Sequence, residues 1–452
     1  MQNVFVPDRI ENLEQLEALG ERPYLTDAPF IHCSNYEEGV SVSIAGRILT
    51  IRRMGKMCFA TIMYCPKPNS EQTARIQVVF QQGFTKDGWR ETVKHVDSGD
   101  LVYFQGFYKA TVAGEQSIFV RSFVVLTKAL SVVPYGQEKD GEAFNQVRDV
   151  ETLMRHRHLA TLVDGDLRAR LVQRSRMIST IRRVLDDSSF VEVQTPTLLQ
   201  IPGGAEAKTF DTHYNAYEAD VKLRISLEIQ LKRLLCGGFE RVYEIGTVFR
   251  NEGISAQHNP EFTLLEYYTA YDNFKSGIER FQTLIAQASN FSINRDDWTI
   301  MTMREAIENY TGSDLEDWYH LPNFVEAVEE AMKEHVEPHL TSPTIITHHP
   351  ARMSPLARHN GMYAERFEAY ISGMEIANGF CEQNDPRAQL AAFEAQNAAL
   401  GTPIDHDFIY ALACGMPPAF GVGIGLDRLA MALTNTEHIR QITWFPYVKP
   451  VN

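Results

Sequence analysis

One stretch of twenty residues carries side chains that could bind a phosphate and a carboxylate side by side. It is FRNEGISAQHNPEFTLLEYY, residues 249–268, with aromatic and apolar ends and a middle rich in loop-forming residues. This pattern predicts two antiparallel β-strands joined by a long loop. The hairpin would bring together five polar side chains: Arg250 and Glu252 on the first strand, His258 in the loop, and Glu266 and Tyr268 on the second strand. Because a guanidinium offers forked donors to two anions, Arg250 could hold both; a structural Arg–Glu ladder is the alternative.

A second group of candidates lies in RFEAYISGMEIANGFCEQND, residues 366–385. Glu368 and Glu375 are seven residues apart, a spacing that puts side chains on opposite faces of a continuous strand. A turn or bulge near Gly373 is therefore needed to bring both carboxylates to one ligand. Oxygen ligands without His or Cys suit Mg²⁺ bound to phosphates, and unrelated surface carboxylates are the alternative.

A glycine-rich segment, GVGIGLDRLAMAL at residues 421–433, supplies a third charged group. It does not match a dinucleotide-binding fingerprint, because the last acidic residue is Glu437 and no carboxylate follows at about 20 residues. We expect a strand that runs into a helix beginning near Leu426, with Arg428 in the first turn. A cation there, beside free backbone N–H groups, can meet a nucleotide.

The elements that would position these groups come after a segment with a different sequence pattern, residues 41–130. Five short runs of alternating or β-branched residues occur between residues 41 and 130: VSIAGRIL, CFATIMY, ARIQVVF, LVYFQGFY and SIFVRSFVVL. They predict a small barrel of the oligonucleotide-binding (OB) type. An exposed aromatic side chain with basic neighbours can hold unpaired bases there. Phe59, with Arg52, Gln77 and Glu115 on other strands, is the candidate group, and a Phe59 buried in the barrel core is the alternative.

The region after the barrel mixes helical and strand patterns. Polar residues 136–147 indicate a linker. The predicted elements beyond it are helices at 167–185 and 228–235, strands at 190–196 and 221–226, and a helical region at 302–340.

Composition favours a large globular protein. With 452 residues and an apolar share of 44%, the chain can form two or three domains. It has neither an apolar run of about 18 residues nor a signal-peptide pattern, so we expect a cytosolic protein that does not enter a membrane. Six scattered cysteines without a CxxC pair predict reduced thiols and no zinc site.

The net charge of −15 is distributed unevenly. Residues 41–130 carry 12 Lys and Arg against 6 Asp and Glu, so the predicted barrel is basic while the rest of the chain is strongly acidic. A basic small domain on an acidic body is typical of an RNA-binding attachment. An undirected solvated surface is the alternative.

Together these segments resemble the class II aminoacyl-tRNA synthetases, and within that class the lysyl-tRNA synthetases. The resemblance covers nearly the whole chain and includes three class motifs in order: FVEVQTP at 190–196, FRNEG with HNPEF at 249–262, and GIGLDR at 423–428. The lysine branch is indicated by FRNEG, by IPGGA at 201–205, by SPLAR at 354–358 and by EIANGF with its following Glu at 375–382. AGR at 45–47 and RRMGK at 52–56 similarly resemble the family's anticodon-binding domain.

The resemblance implies a role for each candidate residue. Arg250 would bridge the substrate carboxylate and the ATP α-phosphate. The other nucleotide contacts would be Phe262 beneath adenine, Arg428 on its other face, and Glu252, His258 and Asn259, with Glu368 and Glu375 holding Mg²⁺. The lysine contacts would be Glu228 to the α-amino group, Asn378 near the carboxylate, Glu382 and Tyr268 to the ε-ammonium, and Glu266 and Phe380 around them. The anticodon contacts would be Arg52, Phe59, Gln77 and Glu115.

The architecture and reaction follow from the same resemblance. We expect an α+β protein with an N-terminal five-stranded OB barrel and a C-terminal antiparallel sheet flanked by helices. The implied domains are a helical segment at 1–38, the anticodon-binding barrel at 39–133, a linker at 134–150 and the catalytic domain at 151–452. The implied activity is that of a homodimeric lysine–tRNA ligase, which uses ATP, Mg²⁺ and L-lysine and charges tRNA(Lys).

Two other functions are possible for such a chain, and the sequence differs from the family pattern at three places. A paralogue that lysylates a protein would resemble the catalytic domain alone, and a silent RNA-binding regulator would not need Arg250, Glu368, Glu375 and Arg428. Gln257 stands where most relatives have a basic residue, Lys208 replaces the usual arginine, and residues 66–73 are an insertion in the barrel.

Overall fold

The computed structural model describes residues 5–25, 37–139, 142–146 and 149–450. The chain divides into two compact units, one made of Met1–Val172 with Trp444–Asn452 and the other of Gln173–Thr443. The finer domain limits at 1–38, 39–133, 134–150 and 151–452 stay a prediction. No described helix is both long and apolar enough to cross a membrane.

The first unit contains a closed five-stranded barrel, as the alternating runs predict. A short helix precedes it, α1 (Pro7–Ala18), and the barrel consists of β1 (Ser41–Met54), β2 (Met57–Tyr64), β3 (Ala74–Gln81), β4 (Leu101–Ala110) and β5 (Gln116–Thr127), with α2 (Trp89–Lys94) between β3 and β4. The strand order is β1-β2-β3-β5-β4, and only β3 and β5 run parallel. The barrel closes because β4 pairs with both β1 and β5.

Alternation along each strand decides which side chains fill the barrel. On β2, Cys58, Ala60 and Ile62 are buried, whereas Phe59 is partly exposed and lies outside the core cluster. The core includes the stacked aromatic rings of Phe80 and Trp89, whose centroids are 5.6 Å apart. The alternative that Phe59 is a core residue is therefore wrong.

A cluster of ion pairs around Lys128 stabilises the end of the barrel where β5 ends. The ammonium group of Lys128 is fully buried and lies 2.9 Å from Asp100 and 2.5 Å from Asp97. It also donates to the carbonyl oxygen of His95, 2.8 Å away. Because a buried cation is stable only with such partners, the cluster holds the loop before β4 against the end of β5.

The rest of the first unit is a hairpin and short helices. The elements are β6 (Tyr135–Lys139), β7 (Glu142–Gln146), α3 (Val150–Arg155), α4 (Arg157–Val163) and the start of α5 (Gly165–Asp187). Strands β6 and β7 pair antiparallel, so the polar stretch at 136–147 contains a short hairpin, although some of its residues lie outside the described part of the chain.

The second unit is built on an eight-stranded sheet. Its strands, with those of two smaller sheets, are β8 (Val191–Glu192), β9 (Leu198–Leu199), β10 (Asp211–Tyr214), β11 (Ala219–Leu223), β12 (Arg241–Phe249), β13 (Glu261–Ala270), β14 (Thr299–Thr302), β15 (Thr344–Thr347), β16 (His359–Asn360), β17 (Tyr363–Ala364), β18 (Arg366–Ile371), β19 (Met374–Cys381) and β20 (Ala419–Gly425). The order of the large sheet is β14-β15-β18-β19-β20-β13-β12-β8. All its inner pairs are antiparallel, and the two edge strands, β14 and β8, pair parallel with their neighbours.

Helices cover this sheet, which confirms the predicted α+β class. They are α6 (Glu228–Cys236), α7 (Phe274–Ala288), α8 (Met303–Thr311), α9 (Leu315–Trp318), α10 (Phe324–Ala331), α11 (Pro386–Leu400), α12 (His406–Ala413) and α13 (Leu426–Leu433). Helix α7 begins at a capping box in which Asn273 accepts from the backbone N–H of Ser276 at 3.1 Å, and its apolar face packs Phe281 against Phe367 of the sheet. The predicted helical region at 302–340 is broken into α8, α9, α10 and a π-helical turn, Met332–Val336.

Candidate active site

A cavity of about 960 Å³ lies in the second unit and gathers most of the predicted site residues. Its lining includes Glu228, Arg250, Glu252, His258, Asn259, Phe262, Glu266, Tyr268, Glu375, Asn378, Phe380 and Arg428. Two predicted site residues, Glu368 and Glu382, are not part of this lining. They are close to it, because Glu368 neighbours Glu375 and Glu382 neighbours Tyr268.

The hairpin formed by β12 and β13 positions one wall of the cavity. Val248 pairs with Phe262 and Phe249 with Glu261, as the sequence predicts. Strand β12 ends at Phe249, so Arg250 and Glu252 lie in the loop beyond it, and their predicted place on the strand is wrong. The backbone of Arg250 still pairs across the hairpin, because its N–H donates to the carbonyl oxygen of Pro260 at 2.8 Å.

The guanidinium of Arg250 is held over an aromatic ring. Its Cζ lies 5.2 Å from the ring centroid of Phe262. Burial lowers the pKa of Arg250, and the nearby Glu252 carboxylate partly offsets that effect. Among the described residues, no acceptor contacts its buried Nε atom. A partly buried guanidinium with a donor to spare is suited to an anionic ligand.

Arg428 joins three separate segments at the start of α13. Its Nη1 donates to the backbone oxygen of Glu375 at 3.0 Å and to the Glu375 carboxylate at 3.3 Å, and its Nη2 lies 2.9 Å from Nε2 of His258. Arginine can only donate, so His258 accepts at Nε2 and its Nδ1–H donates to Ser255 at 2.7 Å. Burial and the Arg428 charge lower the pKa of His258, so the ring is neutral near pH 7.

Two carboxylates flank the turn between β18 and β19. Ser372 and Gly373 both have positive φ, and the strand register shifts between Ala369 and Tyr370, so the predicted turn or bulge near Gly373 is confirmed. The combination brings Glu368 and Glu375 close enough for the charge of Glu368 to act on Glu375.

The two carboxylates have opposite surroundings. Glu368 accepts from Arg366 at 2.5 Å and from Tyr370 at 2.6 Å, and His349 lies 3.3 Å away. Burial alone would raise the pKa of Glu368, but His349 and Arg366 outweigh it and hold that pKa below its usual range. Burial and the charge of Glu368 raise the pKa of Glu375. Among the described residues, no group of three or more His, Cys, Asp or Glu side chains forms a metal site by itself.

Another part of the cavity wall contains the buried carboxylates of Glu228 and Glu266. Glu266 accepts hydrogen bonds from the N–H of Leu227 at 2.9 Å, from Ser226 at 3.2 Å and from the hydroxyl of Tyr268 at 2.8 Å. Burial and the nearby Glu228 carboxylate nevertheless raise the pKa of Glu266 to about 7. The protein therefore neutralises these carboxylates only in part, which favours a cationic ligand.

Glu382 is a neighbour of Glu228 and Glu266 and does not line the cavity itself. Its side chain is fully buried, and Lys232 forms ion pairs with both Glu382 and Glu228. No hydrogen-bond donor of the described residues reaches Oε1 of Glu382. Gly421 lines the cavity, and a Cβ atom at that position would lie 2.3 Å from Oε1 and 2.3 Å from the ring of Tyr268. The missing side chain at Gly421 thus leaves Glu382 next to the cavity.

Three more predicted residues complete the wall. Asn378 accepts from Nε of Arg366 at 3.1 Å, which fixes the orientation of its amide. Phe380 presents its ring to the ammonium of Lys232 at 5.2 Å. Asn259 donates to Thr443 at 3.4 Å.

The predicted anticodon residues occupy the outer surface of the barrel in the first unit. Arg52 and Phe59 are direct cross-strand partners on β1 and β2. Gln77 donates to Glu115 at 2.8 Å and accepts from Ser117 at 2.9 Å. Arg52, Phe59 and Gln77 lie on exposed or partly exposed positions of neighbouring strands, whereas Glu115 lies in the turn before β5, so its predicted place on a strand is wrong. A nucleic acid can reach all four positions.

Comparison with known proteins decides the family. Residues 149–449 match the family model described as tRNA synthetases class II (D, K and N), and residues 42–126 match the OB-fold nucleic acid binding domain. The chain belongs to the class II aminoacyl-tRNA synthetases. Among its relatives is a lysine–tRNA ligase of Moorella thermoacetica, 37% identical over 99% of this chain and 98% of that protein. Lysine–tRNA ligases of Dehalococcoides mccartyi and Bacillus cereus are 36% and 38% identical, over 98% and 91% of this chain and 96% and 88% of those proteins.

Several residues of this synthetase's site were missed by sequence reasoning. Lys232 could have been found, because it lies four residues after Glu228 on a predicted helix and so shares its face. Arg366 and His349 gave no such signal, because only the pairing of β18 with its neighbours brings them to Glu368. The departures Lys208 and Gln257 both line the cavity of the synthetase.

Proposed function

We propose that this synthetase activates L-lysine with ATP to lysyl-adenylate and transfers the lysine to the 3′ end of tRNA(Lys). The names of its relatives support lysine as the amino acid. The observation that carries the proposal is that one cavity combines buried carboxylates, Glu228 and Glu266 in its wall and Glu382 beside it, with the arginines Arg250 and Arg428. A ligand that carries both ammonium groups and phosphates matches this combination of charges.

Arg250 is proposed to align the two reacting anions. The lysine carboxylate attacks the α-phosphorus of ATP, and the bond from that phosphorus to pyrophosphate breaks. The forked guanidinium of Arg250 can bind both the carboxylate and an α-phosphate oxygen, so it lowers their repulsion and stabilises the charge of the transition state. No general base is required, because the attacking carboxylate is already deprotonated.

The nucleotide is proposed to lie along the hairpin and α13. Phe262 offers an aromatic face for adenine, and Arg428 offers a guanidinium whose present partners are Glu375 and His258. Glu252, His258 and Asn259 line the cavity beside them. The neutral ring of His258 can accept or donate a hydrogen bond without repelling the phosphates.

Mg²⁺ is proposed to bind at Glu375 with help from Glu368. Burial and carboxylate repulsion raise the pKa of Glu375, and a divalent cation would relieve both effects. Because two carboxylates are too few for a complete Mg²⁺ site, phosphate oxygens would supply other ligands. When bound, the ion neutralises charge on the phosphates.

The lysine end is proposed to select a long-chain diamine. Glu228 would receive the α-amino group, and Glu382 with Tyr268 the ε-ammonium, with Glu266 and Phe380 beside them and Asn378 near the carboxylate. An uncharged side chain of the same length would leave buried carboxylates unpaired, which penalises it strongly. This discrimination is of the kind that needs no editing.

The barrel supports tRNA as the acceptor. A basic OB barrel with Phe59, Arg52, Gln77 and Glu115 on its outer surface is suited to reading unpaired anticodon bases. A paralogue that lysylates a protein would have no use for such a barrel, and a silent regulator would have no use for the arginines of the cavity. We also propose that the enzyme is a homodimer that works in the cytosol.

Amino-acid-dependent exchange of pyrophosphate into ATP tests the first step. The purified protein is assayed with each of the twenty amino acids, and exchange is expected with lysine alone. Charging of tRNA(Lys) transcripts, with tRNA(Asp) and tRNA(Asn) as matched controls, tests the second step. Absence of exchange, or equal exchange with several amino acids, would overturn the proposal.

A further inference from the structure

The buried ammonium of Lys232 has no part in the reaction as proposed so far. Lys232 lies on α6 one turn after Glu228, and its side chain is fully buried. It forms ion pairs with Oε1 of Glu228 and with Oε2 of Glu382, and it lies 5.2 Å from the ring centroid of Phe380. One cation therefore connects two carboxylates that belong to different elements, the helix α6 and the segment after β19.

Each carboxylate is held by Lys232 through one oxygen only. The second oxygen of Glu382, Oε1, is buried and has no hydrogen-bond partner among the described residues. It lies beside Gly421, at the cavity. Glu228 lines the cavity directly, whereas Lys232 does not. Lys232 therefore does not contact a ligand directly, and it can position one only through the carboxylates that it holds.

We propose that Lys232 is a positioning residue that fixes the spacing of Glu228 and Glu382 and thereby makes the pocket selective for the length of the amino acid. The proposal rests on the proposed function, in which Glu228 receives the α-amino group and Glu382 the ε-ammonium. Lysine and ornithine carry the same two ammonium groups and differ by one methylene. A pocket distinguishes them only if its two anionic partners stay at a fixed separation.

Charge and burial explain how Lys232 can hold that separation. Burial disfavours its charged form, but Glu228 and Glu382 together outweigh burial and raise its pKa, so it remains an ammonium. Ion pairs are strong in a dry interior when their geometry is fixed. The Lys232 ammonium also offsets part of the electrostatic repulsion among Glu228, Glu266 and Glu382, which would otherwise push these carboxylates apart.

Two variants separate positioning from simple support of the fold. Lys232→Met removes the charge and keeps a similar volume, and Lys232→Arg keeps the charge but holds the carboxylates through a broader fork. The control is Arg233→Met, which removes a half-buried cation from the next position of the same helix without touching the cavity lining. For each protein, pyrophosphate exchange is measured with L-lysine and with L-ornithine, together with the KM for ATP and the melting temperature.

Loss of the Lys232 charge should act on amino-acid recognition alone. Lys232→Met is expected to lower kcat/KM for lysine about 100-fold, mainly through KM, because a buried charge pair has lost one partner. The preference for lysine over ornithine should fall about tenfold, which is in the range of one methylene in a fitted pocket. Lys232→Arg should keep more lysine activity and still lose about threefold or more of that preference. The KM for ATP, and every property of Arg233→Met, should remain near the wild-type values.

The outcomes distinguish the possible failures. If the wild type shows no lysine-dependent exchange, the proposed function fails. If the wild type is active and a folded Lys232 variant keeps the full preference for lysine over ornithine, the positioning role is overturned and Lys232 only supports the fold. If Lys232→Met does not fold, the preference of Lys232→Arg decides the question.

Discussion

Replacement of Glu382 by glutamine should weaken lysine binding and leave ATP binding intact. The carboxylate is fully buried, one oxygen lies beside the cavity with no hydrogen-bond partner in the part of the chain that the structure describes, and the other is paired with Lys232. A hydrogen bond to a charged group contributes about 1.5–3 kcal/mol, and burial places this one at the upper end. Lys232 would also lose an anionic partner, so its remaining positive charge would oppose the incoming ammonium. We therefore expect a loss of about 2–4 kcal/mol, which corresponds to a rise of about 30- to 1,000-fold in the KM for lysine.

Pyrophosphate exchange with lysine and ATP varied separately measures this effect. Glu279→Gln is a matched control, because Glu279 lies on α7 with a half-exposed side chain and a loose ion pair of 3.8 Å with Arg295. An equal rise in the KM for ATP would refute the reasoning, since it would mean that Glu382 acts on the nucleotide or on the fold. An unchanged KM for lysine would refute it as well. Melting temperatures of both variants separate loss of binding from loss of structure.

Four further predictions concern other parts of the molecule. Arg250→Ala should lower lysine-dependent exchange about 100-fold or more, because one charge-assisted contact to the transition state is lost. Phe59→Ala should lower charging of tRNA(Lys) by about one to two orders of magnitude, because a stacked base contributes about 1–3 kcal/mol, while exchange stays near wild type. Lysine binding measured by calorimetry should weaken as the pH falls from 8 to 6, by up to about tenfold per pH unit below 7. The reason is that the pKa of Glu266 is raised to about 7, so this carboxylate takes up a proton in that range and loses the charge that attracts the ligand. Lys128→Met should destabilise the first unit by about 3–5 kcal/mol in denaturant unfolding, because the buried carboxylate of Asp100 and the partly exposed carboxylate of Asp97 lose their cation.

Each of these predictions has a control and a contradicting result. Equal charging losses for Phe59→Ala on tRNA(Lys) and on a transcript with an altered middle anticodon base would show that Phe59 reads no anticodon. For the pH dependence, calorimetry in two buffers should detect proton release on lysine binding, and a Glu266→Gln variant that keeps the same profile would contradict the assignment. Lys94→Met removes an exposed ion pair and should cost less than about 1 kcal/mol; a similar cost at Lys128 would contradict its role. Arg250→Ala with normal exchange would exclude Arg250 from the reaction.

Local patterns in the sequence were enough for the elements and for most of the cavity lining. The hairpin of β12 and β13, the closed barrel and the start of α13 all follow from alternation, turn residues and glycine placement, which are local properties. The place of Arg250 and Glu252 was missed because a strand boundary depends on where its partner's pairing ends, and no spacing rule reports that.

Long-range contacts could not be predicted in the same way. Arg366 and His349 reach Glu368 only through the pairing of β15, β18 and β19. Lys232 meets Glu382 across 150 residues of chain, and only its spacing from Glu228 is visible locally. Sequence patterns therefore indicate which side chains carry the charge, whereas the sheet order decides which of them neutralise one another.

If Arg428 binds ATP as proposed, its contacts imply that the nucleotide displaces a protein partner when it binds. In the free enzyme its two Nη groups are already occupied by His258 and Glu375. A nucleotide that takes either group must release a protein partner, so the gain in free energy is only the difference between new and old contacts. Release of His258 would detach the hairpin loop from α13, and release of Glu375 would free a carboxylate for the cation that accompanies the phosphates. Nucleotide binding would thus free Glu375 to bind the cation and would release the hairpin loop from Arg428. The contacts of this one side chain would therefore set the order of binding, with the nucleotide before the cation.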